Sequence, residues 1–315
     1  MSDRIHVAVA VISDRGDNIL VSQRPDDAHQ GGLWEFPGGK LEPGETRLQA
    51  LQRECHEELG IQVEQARPLI QITHDYPDRR ILLDVWKVTA YSGVPQGREG
   101  QPVRWISRSA LAALPMPAAD VPICSAIQLP DRYLITPDFH GTLQGFTARI
   151  AAGLEAGMLL QLRVHSLPGS RLPSLVRALA PVCEERGVGL LVNTGIEQAV
   201  ALGVGVHLSA VRLSAAHRDG YRHDRHRFLL AASCHSAQQL QWAQQIGANF
   251  VVLSPVRETR SHPQARPLGW QGFSSLVSRV ALPVYALGGM QLTDLAAAWD
   301  AGAQGIAGIS AFWEC

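Results

Sequence analysis

The chain has 315 residues, a length for about two domains, and its 46% hydrophobic and 18% charged content is ordinary for a globular protein. Twenty-eight basic residues offset 29 acidic ones to a formal charge of −1, so no global field draws the chain to a nucleic-acid polymer or an anionic membrane. No apolar run reaches the roughly 18 residues of a membrane-spanning helix. The cysteines (Cys55, Cys124, Cys183, Cys234, Cys315) are odd in number and lack a CxxC pair. That argues against a disulfide framework or a zinc site and for a reducing cytoplasm.

The opening "MSDRIHVAVAVISD" alternates like a strand, over Ile5 to Ile12, and does not read as a signal peptide. A turn at Arg15-Gly16-Asp17 leads to a second strand at Ile19 to Gln23. Next comes a helix. Thr46 followed by Gln49 is a capping-box start and Gly60 a stop, with Leu48, Leu51, Cys55 and Leu59 predicted as one buried stripe. Strands at Leu69 to His74 and Ile81 to Tyr91 follow, joined by the turn "YPDRR" (76–80), so this half reads as α+β. "PMPAADVPICSAIQLP" (115–130) holds four prolines and is read as a break in regular structure. Domains are accordingly expected at 1–129 and 130–315.

The second half alternates strand-like runs at 132–136, 158–163, 187–192, 203–208, 228–233, 249–253, 283–287 and 305–310 with Ala/Leu-rich helical segments such as 172–186, 236–246 and 292–301. Eight apolar strands with intervening helices predict a compact (β/α)₈ barrel of the TIM type, an open doubly wound sheet being the competing layout. The cluster "HRDGYRHDRHR" (217–227) is read as a solvated basic loop, because its histidine spacing fits no standard metal site.

The helix at 46–60 carries the chemistry. Glu54, Glu57 and Glu58 share one side at spacings where like charges destabilise a helix by roughly 0.2–0.5 kcal/mol per pair. No lysine interleaves them, and a hard divalent cation with oxygen ligands would remove the repulsion. Together with Gly39, Glu45, Arg53, Gly60 and Ile61, these residues fill every fixed position of a spacing that resembles the Nudix box, Cys55 taking a usually aliphatic slot. The resemblance implies a Nudix pyrophosphohydrolase. Glu54, Glu57 and Glu58 with the Gly38 carbonyl would hold Mg²⁺ or Mn²⁺, Arg53 would orient the carboxylates, and Glu45 would brace the loop before the helix.

"SQRPDDAHQGGLWEFPGGK" (22–40), "YPDRR" (76–80) and "REGQPVRW" (98–105) are similar to segments of the MutT-type 8-oxo-dGTP diphosphatases. By that similarity Arg24, His29, Glu35, Phe36, Pro37 and Gly38 contact a nucleotide substrate, assisted by Arg79. Glu99 would be a further metal ligand or the general base. The family's base-reading position, usually Asn, falls on Asp120. Ionised, that side chain only accepts hydrogen bonds, which suits the N7–H of 8-oxoguanine and not its O6. A helix cap is the competing reading of Asp120.

In the second half "LQLR" (160–163), "LLVNT" (190–194), "GVHLS" (205–209), "SCHS" (233–236), "LGGM" (287–290) and "GIAGIS" (305–310) occur in strand order and resemble thiamine phosphate synthase and its TenI-type relatives. The resemblance implies a phosphate cradle at Gly288, Gly289 and Ser310 for a phosphorylated thiazole-like ligand. It also implies a synthase without its metal site: the two Asp ligand positions are Thr194 and Arg212, and lysine positions are His165 and His262. Two further readings stand beside the 8-oxo-dGTP one. The Nudix half cleaves a thiamine-related or other nucleoside pyrophosphate, or the barrel is a phosphate-ligand sensor.

Overall fold

The computed structural model describes residues 5–77, 79–259 and 264–313. The chain divides into two compact units, Met1–Leu129 and Pro130–Cys315.

In the first unit, β1 (Ile5–Ile12) pairs parallel with β6 (Arg80–Ser92) and antiparallel with β4 (Gly38–Lys40), and β6 pairs antiparallel with β5 (Gln62–Asp75). A second sheet takes the order β3 (Trp34–Glu35), β2 (Asn18–Gln23), β7 (Val103–Ser107). The helix α1 (Arg47–Leu59) begins in the predicted capping box, with Thr46 Oγ1 accepting from Gln49 N and Gln49 Oε1 from Thr46 N at 2.8 Å. It ends at Gly60 in the left-handed region. Ala50, Leu51, Cys55 and Leu59 pack against Ala8, Ala10 and Ile12 of β1, which fixes α1 across that sheet. Leu48 is 38% exposed, so the predicted stripe is displaced toward Ala50. The proline-rich segment holds a helix, α2 (Val121–Gln128), because Pro122 sits in its first turn where no intrahelical N–H is needed.

The second unit is a closed barrel of eight parallel strands in sequence order: β8 (Arg132–Ile135), β9 (Leu159–Leu162), β10 (Gly189–Val192), β11 (Gly205–Leu208), β12 (Leu230–Cys234), β13 (Phe250–Leu253), β14 (Val284–Ala286) and β15 (Gly305–Gly308), with β15 pairing back to β8. Closure excludes the open doubly wound layout. The helices α3 (Leu143–Ala152), α4 (Leu172–Glu185), α5 (Ile196–Ala201), α6 (Ala210–Arg218), α7 (Ala237–Gln245), α8 (Gly269–Val277) and α9 (Leu295–Asp300) alternate with the strands. Period two divides the strand residues. Leu134, Leu160, Val192, Leu208 and Val251 join the helices in one cluster, whereas Tyr133, Phe250 and Tyr285 pack ring on ring, with centroids 5.2–5.7 Å apart. No helix among the described residues is long and apolar enough to cross a membrane.

Candidate active site

The strand β4 and the helix α1 build the acidic side of the site. Gly39 leaves room for the Glu54 carboxylate, since a Cβ there would stand 2.2 Å from its carboxyl carbon and push it aside. Gly38 adopts φ +146°, and a Cβ on it would meet the Ala8 carbonyl oxygen at 2.1 Å. The two glycines thus let a carboxylate-bearing helix lie directly against backbone. Gly38 N donates to Glu58 Oε2 at 3.1 Å.

Arg53 organises the helix side. Its Nε and Nη2 grip both oxygens of Glu45 at 2.8 and 3.0 Å, Nη1 reaches Glu54 at 2.9 Å and Glu57 at 3.0 Å, and Nη2 also donates to the Lys40 carbonyl at 3.0 Å. One planar fork therefore sets three carboxylates and the strand together. Its hydrogen bonds hold the Glu45 carboxyl down to about 2. Glu54 moves the other way: its desolvation outweighs Arg53 and raises its pKa. Glu58 is pushed up to about 8, chiefly by burial and further by the charges of Glu54, Glu35 and Glu99.

Glu99 sits in an exposed turn clipped to the end of α1. Gln96 N donates to Leu59 O at 3.0 Å, and Arg98 N and Gln101 Nε2 donate to Glu58 O at 2.9 and 3.1 Å. Among the described residues no three His, Cys, Asp or Glu side chains stand together as a ready chelate. Glu54 and Glu58 turn instead to Arg53 and to the Gly38 amide. The donors nevertheless fit a hard divalent cation: all are oxygen, the carboxylates repel one another, and Gly39 keeps space beside Glu54.

Beside the carboxylates a cavity of about 230 Å³ gathers Arg24, His29, Glu35, Phe36, Gly38, Arg79 and Asp120. These are the predicted substrate residues except Pro37, whose carbonyl accepts from Ala10 N at 2.8 Å. Arg24 pairs with Glu35 and donates from Nε to the His29 carbonyl at 2.8 Å. Burial raises the Glu35 pKa even so. Asp120 is 6% exposed, and although it stands at the N-cap of α2 its side chain makes no capping bond. The capping reading fails. Burial, reinforced by Glu35 and opposed by Arg24, pushes Asp120 up to about 8. That displacement favours the protonated carboxyl, which can donate as well as accept, over the acceptor-only side chain expected from sequence.

Sequence reasoning missed Tyr76 and Gln30, which also line the cavity. Tyr76 lies inside the "YPDRR" segment and was legible only as turn. Its hydroxyl engages Gln30 and the Ala119 backbone amide, tying that turn to the segment carrying Asp120.

In the barrel, Gly288 and Gly289 follow β14 with φ +103° and +67°, and Ser310 follows β15, so all three lie at the C-terminal ends of the last two strands. Thr194 and Arg212, expected from the resemblance at the positions of the synthase aspartates, line a separate cavity with His165. His262 lies outside the described residues. Inside the barrel His207, part of the "GVHLS" stretch but not singled out within it, bonds Tyr133 Oη through Nδ1 at 3.0 Å and Ser233 Oγ through Nε2 at 2.8 Å. Burial pushes it down to about 3. The 217–227 segment is less solvated than expected: His217 stacks on Trp242 at 5.3 Å, and His223 Nε2 meets the Phe228 carbonyl at 2.8 Å.

Carboxylates on a helix held by one arginine against a glycine-bearing strand, with a cavity alongside, define a Nudix pyrophosphohydrolase. Comparison with known proteins agrees. Residues 8–126 match the NUDIX domain model and residues 132–312 the thiamine monophosphate synthase (TMP-TENI) model, and the chain belongs to both families. The 8-oxo-dGTP diphosphatase of Escherichia coli K12 is 38% identical over 125 residues, 40% of this chain and 97% of that protein. The CTP pyrophosphohydrolase of the same organism is 40% identical over 118 residues, 38% of this chain and 87% of that protein. A putative thiamine-phosphate synthase 2 of Aquifex aeolicus is 32% identical over 190 residues, 60% of this chain and 100% of that protein.

Proposed function

We propose that the first unit hydrolyses 8-oxo-dGTP to 8-oxo-dGMP and pyrophosphate with Mg²⁺, Mn²⁺ being the other suitable ion, in the cytoplasm. Glu54, Glu57, Glu58 and the Gly38 carbonyl would hold the cation, which would supply charge neutralisation at the phosphates. Arg53 would set the carboxylates, and Glu99 would take the proton of the attacking water or join the metal ligands. Arg24, His29, Phe36 and Arg79 position the nucleotide.

The observation that carries the base assignment is Asp120: a buried carboxyl that lines the cavity and declines its helix cap. As a neutral acid it offers an O–H to O6 and a carbonyl oxygen to N7–H, the pair that 8-oxoguanine presents. Guanine has a lone pair at N7, which would face that carbonyl oxygen. The similarity to a CTP pyrophosphohydrolase gives the competing reading, a pyrimidine triphosphate. Initial rates on 8-oxo-dGTP, dGTP, CTP, ADP-ribose and thiamine diphosphate decide the matter. A preference for 8-oxo-dGTP in kcat/KM is expected, and a preference for any other substrate overturns the base assignment.

The barrel does not make thiamine phosphate under this reading. Thr194 offers a neutral hydroxyl and Arg212 a positive charge where a synthase needs carboxylates to hold Mg²⁺ at the leaving pyrophosphate. The full chain incubated with pyrimidine pyrophosphate, thiazole phosphate and Mg²⁺ should yield no product, and steady formation of thiamine phosphate would refute it.

A further inference from the structure

The residues that disagree with a metal site in the barrel make a coherent site of another kind. After β9, β10 and β11, at the barrel's C-terminal rim where such folds place their ligands, lies a cavity of about 220 Å³. Its polar wall is His165, Asn193, Thr194, Gln198 and Arg212, and no Asp or Glu lines it. The carboxylate electrostatically felt by His165 is Asp138, whose Oδ1 is already committed to Phe139 N at 2.9 Å and Ser166 N at 3.0 Å. Thr194 Oγ1 donates to Gln198 Oε1, occupying one lone pair of the amide oxygen. The N–H donors of Gln198 are left for a ligand. The opposite wall is aliphatic, with Leu167 and Leu172.

Such a wall repels a cation and presents donors: a guanidinium fork, an imidazole and two amides. A metal would need oxygen anions that are not there. We propose that this cavity binds the anionic head of a small organic molecule directly, without a metal ion, its apolar body lying on Leu167 and Leu172. The chemistry is that of a phosphate monoester or a carboxylate on a hydrophobic stem. The site is distinct from the cradle expected at Gly288, Gly289 and Ser310, and the inference does not depend on which nucleotide the first unit cleaves.

The test is calorimetric titration of the full chain with phenyl phosphate and, separately, with benzoate, each in EDTA and in Mg²⁺. EDTA removes any cation-mediated phosphate binding in the Nudix unit. At least one probe should bind in EDTA, with an affinity that Mg²⁺ does not raise. Arg212 is exposed on α6, so Arg212→Ala should keep the fold, verified by thermal unfolding, and weaken binding about tenfold or more. Arg212→Lys should restore part of the loss, and His165→Ala should weaken binding less. Stronger binding of phenyl phosphate than of benzoate would assign a phosphate ester, the reverse a carboxylate. A strict need for Mg²⁺, unchanged affinity in Arg212→Ala, loss on Ser310→Ala instead, or no binding of either probe would each overturn the proposal.

Discussion

The cleft beside α1 and the cavity above β9 to β11 are both suited to phosphorylated ligands, by opposite electrostatic arrangements. In the first, burial and the neighbouring Glu99 charge raise the proton affinity of Glu54 and Glu58, so an anionic ligand would need a cation between itself and the protein. In the second, Arg212 and His165 line the cavity with no acid among its lining residues, and the protein itself would be the counterion. Under the two proposals a helix dense in carboxylates and a rim stripped of them would both bind anions, and only the former would depend on metal supply.

The largest test of this contrast is Glu58→Gln. It should leave the fold intact and lower turnover by roughly 10²–10⁴, since metal charge stabilisation is worth several kcal/mol and each ~1.4 kcal/mol is tenfold. Steady-state kinetics at saturating Mg²⁺ measure it, and near wild-type rates would erase the distinction between the two regions. Binding of phenyl phosphate in the barrel should be untouched by the same change.

A smaller effect sharpens the base assignment. Asp120→Ala should lose about 1–3 kcal/mol of discrimination between 8-oxo-dGTP and dGTP, read as the ratio of kcat/KM values. The groups felt by Asp120 are Arg24, Glu35 and Tyr76. With its carboxyl raised to about 8, wild-type selectivity should decline as pH passes through about 8 and the O–H is lost, while Asp120→Asn should show no such step. The sign for stability follows from the same displacement. The folded state binds this proton more tightly, so the group's contribution is present at low pH and is lost as pH rises from the ordinary carboxylate range to about 8. Chemical denaturation across that window should show a stability gain in Asp120→Asn that grows with pH.

The smallest effect is local. Thr46→Ala removes the acceptor for Gln49 N and should cost about 1 kcal/mol of stability by denaturant titration, with little change in kcat. A large fall in kcat at unchanged stability would mean that the start of α1 acts on the chemistry directly.

Much of this was legible in the sequence because it repeats at fixed spacing. The capping box, the Gly60 stop and the eight barrel strands follow from short-range pattern, and each appears where the pattern places it. The strands β3 and β4, of two and three residues, were not, because so short a run carries no periodicity. The helix α2 was misread as a break, since Pro122 disfavours a helix interior and fits a first turn. At the candidate site the residue types were readable and their protonation was not: Asp120 is an ordinary acid by sequence, and only burial beside Glu35 makes it neutral. The cavity wall at Arg212 was visible as a departure from a family pattern, but its lack of carboxylates is a property of three strands brought together.

The clip that binds residues 96–101 to the end of α1 bears on how that region opens. Three donors from the segment terminate on the Leu59 and Glu58 carbonyls, so the segment cannot lift while the helix end stays capped without exposing two acceptors. Glu99 and the helix carboxylates therefore belong to one cooperative opening unit. The amides of Gln96 and Arg98 should therefore exchange with solvent on the timescale of the last turn of α1, slower than their exposed surroundings alone would allow.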